Sequence, residues 1–283
     1  MSRPLHYFPC AAEFRVQAPP RRRRRLESVR SHYYQFNHPT RHRWLRGALW
    51  TGAAAALTSA GAAVYRWPGH VHAALVTVGF ARERTVEDAV RDFGPRAKAR
   101  FEPACLAHKI AWPPARVRLL AFKRERVLEV WVAGKRGAFA KAAQYPILAA
   151  SGGPGPKRRA GDCQVPEGFY KLPVLNPNSK FHLSLRVDYP NAEDLAHRPE
   201  DHPDPGTDIY VHGGANSIGC LAIGDDAIEE VFALVAQVPA SGREIWIAPV
   251  DLRKEPGFRL TNAEPWVEET HRKLSARIKA ELP

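Results

Sequence analysis

Cysteine is scarce in this chain. Four occur in 283 residues, at positions 10, 105, 163 and 220. Their spacing fits neither a zinc site nor a dense disulfide framework. A bridge between Cys105 and Cys163 is chemically allowed if both face an oxidising compartment, but nothing in the spacing demands one. No internal repeat is visible, which argues against solenoids and propellers. Acidic residues are nearly missing from the first 46 positions, which hold 11 Lys or Arg against 2 Asp or Glu. That segment carries +9 of the formal +13, leaving only +4 for the other residues. The main body lacks the basic stripe that nucleic-acid binding needs, so that function class is set aside.

Long apolar runs are also missing, with one exception. Gly47 to Tyr65 is 19 residues without a charge, bounded by Arg46 and Arg66. As a helix it rises about 28 Å, close to the hydrocarbon thickness of a bilayer. Trp44, Trp50, Tyr65 and Trp67 crowd its ends, where amphipathic rings favour the interface. The upstream arginines, Arg21 to Arg25 above all, predict a cytoplasmic N-terminus. A cleaved signal segment is the rival reading, because Ala60-Gly61-Ala62 has the small-x-small form. Both readings place the rest of the chain outside the cytoplasm. The expected order is a basic tail (1–46), a single-pass inner-membrane anchor (47–67), a helical stem (68–115), a catalytic domain (116–253) and a C-terminal helix (254–283).

Val86, Ala89, Val90 and Phe93 recur at helical spacing, and prolines 95, 103, 113 and 114 punctuate the segment up to Arg116. From Arg116 the pattern becomes short and β-branched. Strands are expected at Val117 to Phe122, Val127 to Val132, Tyr145 to Ala149, Gly168 to Leu172, Phe181 to Tyr189, Ile209 to His212 and Glu244 to Ala248. Ile228, Val231, Phe232 and Val235 predict one helix, with Asp226 and Glu229 as a capping pair. Val267, Leu274 and Ile278 predict another. The fold class is mainly β with added helices (α+β).

Chemistry concentrates in one stretch, Ile209-Tyr-Val-His212-Gly213-Gly214-Ala-Asn216-Ser217-Ile-Gly219-Cys220. A cysteine nucleophile needs a base within reach and donors for an oxyanion. His212 ends a predicted strand and the glycines let the loop fold back, so Cys220 can meet it. The N–H groups of Gly219 and Cys220 are candidate oxyanion donors. Taken singly, such a Cys is more often a small buried hydrophobe, and such a His a surface residue. A metal site from His202, His212 and Cys220 lacks a spaced ligand set.

The stretch resembles the active-site motif of L,D-transpeptidases with a YkuD-like catalytic domain, in which a His-Gly pair precedes Ser-x-Gly-Cys. His212-Gly213 and Ser217-Ile218-Gly219-Cys220 match. Ser151 to Lys157, Gly161-Asp162, Pro166 to Tyr170, Asn176 to Ser179 with Phe181, and Tyr189 to Ala192 resemble the YafK-like branch, so the likeness spans about 116 to 250. It implies a YkuD-like β-sandwich with peripheral helices. It also implies Cys220 as nucleophile, His212 as general base, Gly213 orienting the His, Ser217 supporting the loop and Gly219 serving the oxyanion. Two departures stand out. Ile218 occupies the place of a second His, leaving His212 as the only obvious base, and Ala222 occupies the place of an Arg. Arg186 and Lys180, with Asn216, are the candidate substrate-binding residues. Asp162 and Glu167 are expected to brace loops. The implied reaction is acyl transfer on peptidoglycan stem peptides, without metal or organic cofactor, to an amine of another stem peptide or of an envelope protein. Hydrolysis of the same bonds by water is the alternative. A non-catalytic peptidoglycan-binding module is the other, which the presence of both His212 and Cys220 disfavours. The catalytic domain is expected in the periplasm.

Overall fold

β1 (Arg116–Phe122) and β2 (Val127–Ala133) are buried on both faces because each face meets a different core. In the computed structural model, which describes residues 82–282, they sit in a five-stranded sheet of order β3-β2-β1-β9-β4. Its other strands are β3 (Ala140–Pro146), β4 (Gly168–Lys171) and β9 (Arg243–Ala248). β1 pairs antiparallel with β2 and parallel with β9. Val117, Leu119 and Ala121 point into the main core, while Leu120 and Phe122 point into a second one. The second core is closed by Leu274 and Ile278 of the C-terminal helix α4 (Pro265–Glu281).

A second sheet has the order β5-β6-β7-β8, from β5 (Val174–Ser179), β6 (His182–Arg186), β7 (Tyr210–His212) and β8 (Leu221–Ala222). Between β6 and β7 lies the short helix α2 (Ala192–Ala196). Leu183, Leu185, Val211 and Leu221 form the buried face of this sheet. They share the main core with α3 (Asp225–Ala236) and with α1 (Val86–Ala107).

α1 is the described part of the expected stem. A capping box between Thr85 and Asp88 starts it. Ala89, Ala97, Phe101 and Cys105 give it a buried stripe at four-residue spacing. The helix runs through Pro95 and Pro103, which the sequence suggested as breaks. Neither is buried, so the carbonyls they leave unpaired lie toward water, and the buried stripe holds the turns together. The expected tail and anchor, with the first part of the stem, lie outside the described residues. Among the described residues no helix is long and apolar enough to cross a membrane.

Several expectations change. The α3 capping pair is not formed: its N-cap is Gly224, without a side-chain cap. Asp226 and Glu229 instead hold Arg96 of α1 at 3.0 and 3.1 Å. β3 begins at Ala140, earlier than expected, because alanines alternating with Lys141 and Gln144 give a weak apolar signal. Residues after 146 leave that sheet, and Ala149 bridges to Ala222 of the other. β5, with Pro177, and the two-residue β8 were not foreseen as strands. Cys105 is a free, buried thiol, so no 105–163 bridge forms.

Since α1 fills the main core, Phe101→Ala is expected to destabilise the fold by about 3–5 kcal/mol, the usual cost of emptying a buried Phe site. Leu106, 69% exposed on the same helix, should change stability by less than about 0.5 kcal/mol when replaced by Ala. Urea unfolding midpoints measure both, and equal small shifts would separate α1 from the cooperative core.

Candidate active site

The second sheet alternates, and its face away from the main core carries the chemistry. Arg186 pairs with Tyr210, and Ser184 with His212, across β6 and β7. β7 and β8 run parallel, with Val211 opposite Leu221 and His212 opposite Ala222. Parallel register keeps paired residues on one face, and every second residue shares it. Cys220, one step before β8, therefore falls beside Tyr210 on the same face as His212. His212 and Cys220 are diagonal neighbours on adjacent strands.

His212 is 2% exposed. Its Nδ1 lies 2.6 Å from the Gly213 carbonyl oxygen, to which it donates. That bond selects the tautomer with the proton on Nδ1 and leaves the Nε2 lone pair free to act as a base. The ring stacks on Phe181 at 4.5 Å and 28°. Gly213 cannot be larger, because a Cβ there would meet Asp225 Oδ1 at 2.5 Å and Phe181 O at 2.6 Å. Asp225 Oδ1 accepts the Gly214 N–H at 2.7 Å, tying the loop to the start of α3.

Cys220 is half-buried, and its thiol donates to the Asp208 carbonyl at 3.6 Å. Ser217 closes the loop in both directions. Its Oγ accepts the Cys220 N–H at 2.9 Å and donates to the Cys220 carbonyl at 2.6 Å. Gly219 takes a positive φ of 96°, which favours glycine, and its N–H donates to Ser151 Oγ. Both N–H groups expected to face an oxyanion are thus taken by serine hydroxyls in this resting arrangement, and the loop satisfies its own donors.

Burial pushes the Cys220 thiol above its ordinary pKa, partly offset by the Tyr210 N–H directed at the sulfur. Burial likewise lowers His212, against the opposing bond to Gly213. Both shifts favour a neutral thiol beside a neutral imidazole over an ion pair.

Other predicted residues are dispersed around this centre. Arg186 lies in the Tyr210–Cys220 row. Lys180 is exposed in the turn between β5 and β6. Asn216 lines a groove of about 440 Å³ with Arg126, Leu148, Ser151 and the 79% exposed Ile218. Asp162 and Glu167 pair with buried Lys157 (2.7 Å) and Lys123 (3.0 Å) and brace the loop that carries Ser151. No sequence motif marked Asp208 or Asp225, and Tyr210 stood in the quoted stretch without a role. Asp208, at φ 61°, acts through its backbone, which no residue-type motif reports. Among the described residues no group of three or more His, Cys, Asp or Glu is placed to hold a metal ion.

The neutral resting pair has a readable consequence. Alkylation of Cys220 by iodoacetamide, followed by peptide mass, should rise steadily with pH and reach its midpoint above about 8.5, the ordinary thiol value. A reactive plateau near pH 6 would instead reveal a thiolate–imidazolium pair.

Residues 116–250 match the model of the L,D-transpeptidase catalytic domain, YkuD. A curated relative, YafK of Escherichia coli strain K12, which carries the name of an L,D-transpeptidase, is 35% identical over 153 residues, 52% of this chain and 56% of its own length. The chain thus spans about half the length of that relative. Among solved structures, the helical cell shape determining protein Pgp2 of Campylobacter jejuni is 23% identical over 47% of this chain and 46% of its own, with a TM-score of 0.38. L,D-transpeptidase 1 of Mycobacterium tuberculosis is 16% identical over 47% of this chain and 62% of its own, at 0.28. Neither structural likeness is high enough to bear on this chain's chemistry. Residues 116–250 of this chain are thus similar to the YkuD family of L,D-transpeptidase catalytic domains.

Proposed function

We propose that the chain is a cysteine-dependent acyltransferase acting on peptidoglycan stem peptides. The observation that supports it most is the placement of Cys220 and His212 on one face of adjacent parallel strands, with His212 held as the Nδ1–H tautomer. In the reaction, the thiol turns from the Asp208 carbonyl and gives its proton to His212 Nε2. The sulfur attacks the carbonyl at the L-centre of the diaminopimelate residue. The C–N bond to the following D-residue breaks, and imidazolium returns its proton to the leaving amine. An acceptor amine then loses a proton to His212 and attacks the thioester, restoring the thiol. The negative oxygen of each tetrahedral intermediate calls for the Gly219 and Cys220 N–H groups, which requires the Ser151 and Ser217 hydroxyls to yield them.

Cys220→Ala should abolish acylation while leaving the fold intact, and Cys220→Ser should be nearly inactive, because a hydroxyl is far harder to deprotonate. His212→Ala should slow acylation by on the order of 10² to 10⁴, the range for losing a general base. Intact-mass kinetics with a tetrapeptide stem from pH 5 to 9 measure this. Near wild-type acylation by the His212→Ala chain at neutral pH would remove His212 from the mechanism.

The arginines ahead of the apolar 47–67 segment support a single inner-membrane span with the catalytic domain in the periplasm, where stem peptides are found. A phosphatase reporter fused after Pro283 should be active on the periplasmic side. A reporter that works only in the cytoplasm overturns this topology.

A further inference from the structure

Among the described residues, nothing answers the charge of Arg186 beside the resting site. Arg186 Nε is buried and has no hydrogen-bond partner. The other such atom among the described residues, Arg158 Nε, belongs to a guanidinium whose remaining nitrogens bind Glu264 and the His197 carbonyl. The Arg186 guanidinium makes no hydrogen bond or ion pair to any described residue. It lies near Tyr210, whose hydroxyl burial and Asp208 hold above its ordinary pKa, with the Arg186 charge opposing them. An unpaired, partly desolvated guanidinium is costly unless an anion completes it. Its planar fork fits a carboxylate with two parallel bonds.

The register says where that carboxylate would lie. Arg186 opposes Tyr210, and Tyr210 lies beside Cys220, so the three share one row on one face. Two strand spacings separate the ends of that row, about 10 Å. In the proposed donor, the carboxylate of the leaving D-residue lies about one residue-length from the attacked carbonyl, roughly 3.5 Å. The carboxylate at the far, D-centre of diaminopimelate lies about two residue-lengths away, roughly 7 Å when extended. Only the second approaches the span of the row, with the flexible arginine stem closing the remainder.

We propose that Arg186 is the specificity-determining residue of the donor site, binding the far carboxylate of diaminopimelate while Cys220 attacks its near carbonyl. This rests on the proposed reaction and adds the group by which the donor is read. It predicts that stems carrying lysine in place of diaminopimelate, or an amidated far carboxylate, are poor donors.

The test is equilibrium binding of a tetrapeptide stem to the full chain carrying Cys220→Ala, with and without Arg186→Gln, by calorimetry. Losing a charge-assisted pair should weaken binding about 10- to 100-fold. Against a stem amidated at the far carboxylate, the two proteins should bind alike, which also shows that the variant is folded. Arg186→Lys, keeping charge without the fork, should lose less, again only on the free carboxylate. Equal binding of the free stem by all three proteins overturns the assignment. So does an Arg186 effect that disappears on amidating the terminal D-residue instead. If the Cys220→Ala chain binds no stem and the unmodified chain is not acylated by one, the proposed reaction itself fails, and this inference with it.

Discussion

Parallel pairing of two residues, Val211 with Leu221 and His212 with Ala222, is what the rest of the site hangs on. It buries Val211 and Leu221 in the main core, and the alternation of a strand then turns His212 and Cys220 the other way. A slip of one residue in either strand would exchange the faces, placing leucine at the surface and the imidazole in hydrocarbon. The hydrophobic core therefore sets the relative position of nucleophile and base without any direct bond between them. The intervening loop has only to close the gap, and it does so with Ser217 bonded twice to Cys220 and Asp225 holding Gly214.

The loop from 147 to 167 is held in a different way. Lys123 Nζ donates to the Gly155 and Val165 carbonyls and pairs with Glu167, whose other oxygen binds His271 of α4 at 2.7 Å. Lys157 pairs with Asp162, which accepts the Arg158 and Gln164 N–H groups as well. Buried ion pairs contribute little net stability, yet removing one partner strands a charge. Here they give an irregular, glycine- and proline-rich segment a single conformation, and with it a defined position for Ser151 against Gly219. The C-terminal helix thus supports the site through His271, although it lies on the far side of the five-stranded sheet.

Legibility in the sequence followed the strength of local signals. The β1, β2 and β9 segments were visible because they are short runs rich in apolar and β-branched residues. His212 and Cys220 were visible through the resemblance of His212-Gly213 and Ser217-Ile218-Gly219-Cys220 to the YkuD motif, since a lone Cys or strand-end His reads more often as a buried hydrophobe or a surface residue. β8 was not, since two residues hold no period, and β5 was hidden by Pro177 and by polar residues suited to an edge. The Asp226–Glu229 spacing suggested a cap, but the helix starts one residue earlier, at Asp225, with Gly224 as its N-cap, so Asp226 lies inside the first turn and, with Glu229, contacts Arg96. The Asp208 carbonyl and the serine hydroxyls on Gly219 and Cys220 depend on backbone conformation, which side-chain identities do not encode.

The alanine at 222 is the departure from the family pattern with the clearest physical reason. Its N–H donates to the Ala149 carbonyl at 3.0 Å, and its carbonyl accepts the Leu148 N–H at 2.8 Å, so the 148–149 segment lies alongside it. The residue is 0% exposed. An arginine there would have to break that bridge or bury its charge beneath it, and either costs several kcal/mol. With position 222 closed, the cation proposed to serve the same face lies on a neighbouring strand. β6 offers one, because the register that sets Ser184 opposite His212 sets Arg186 opposite Tyr210. The closed bridge at Ala222 and the place of Arg186, whose guanidinium has no partner among the described residues, are both set by the register of this sheet.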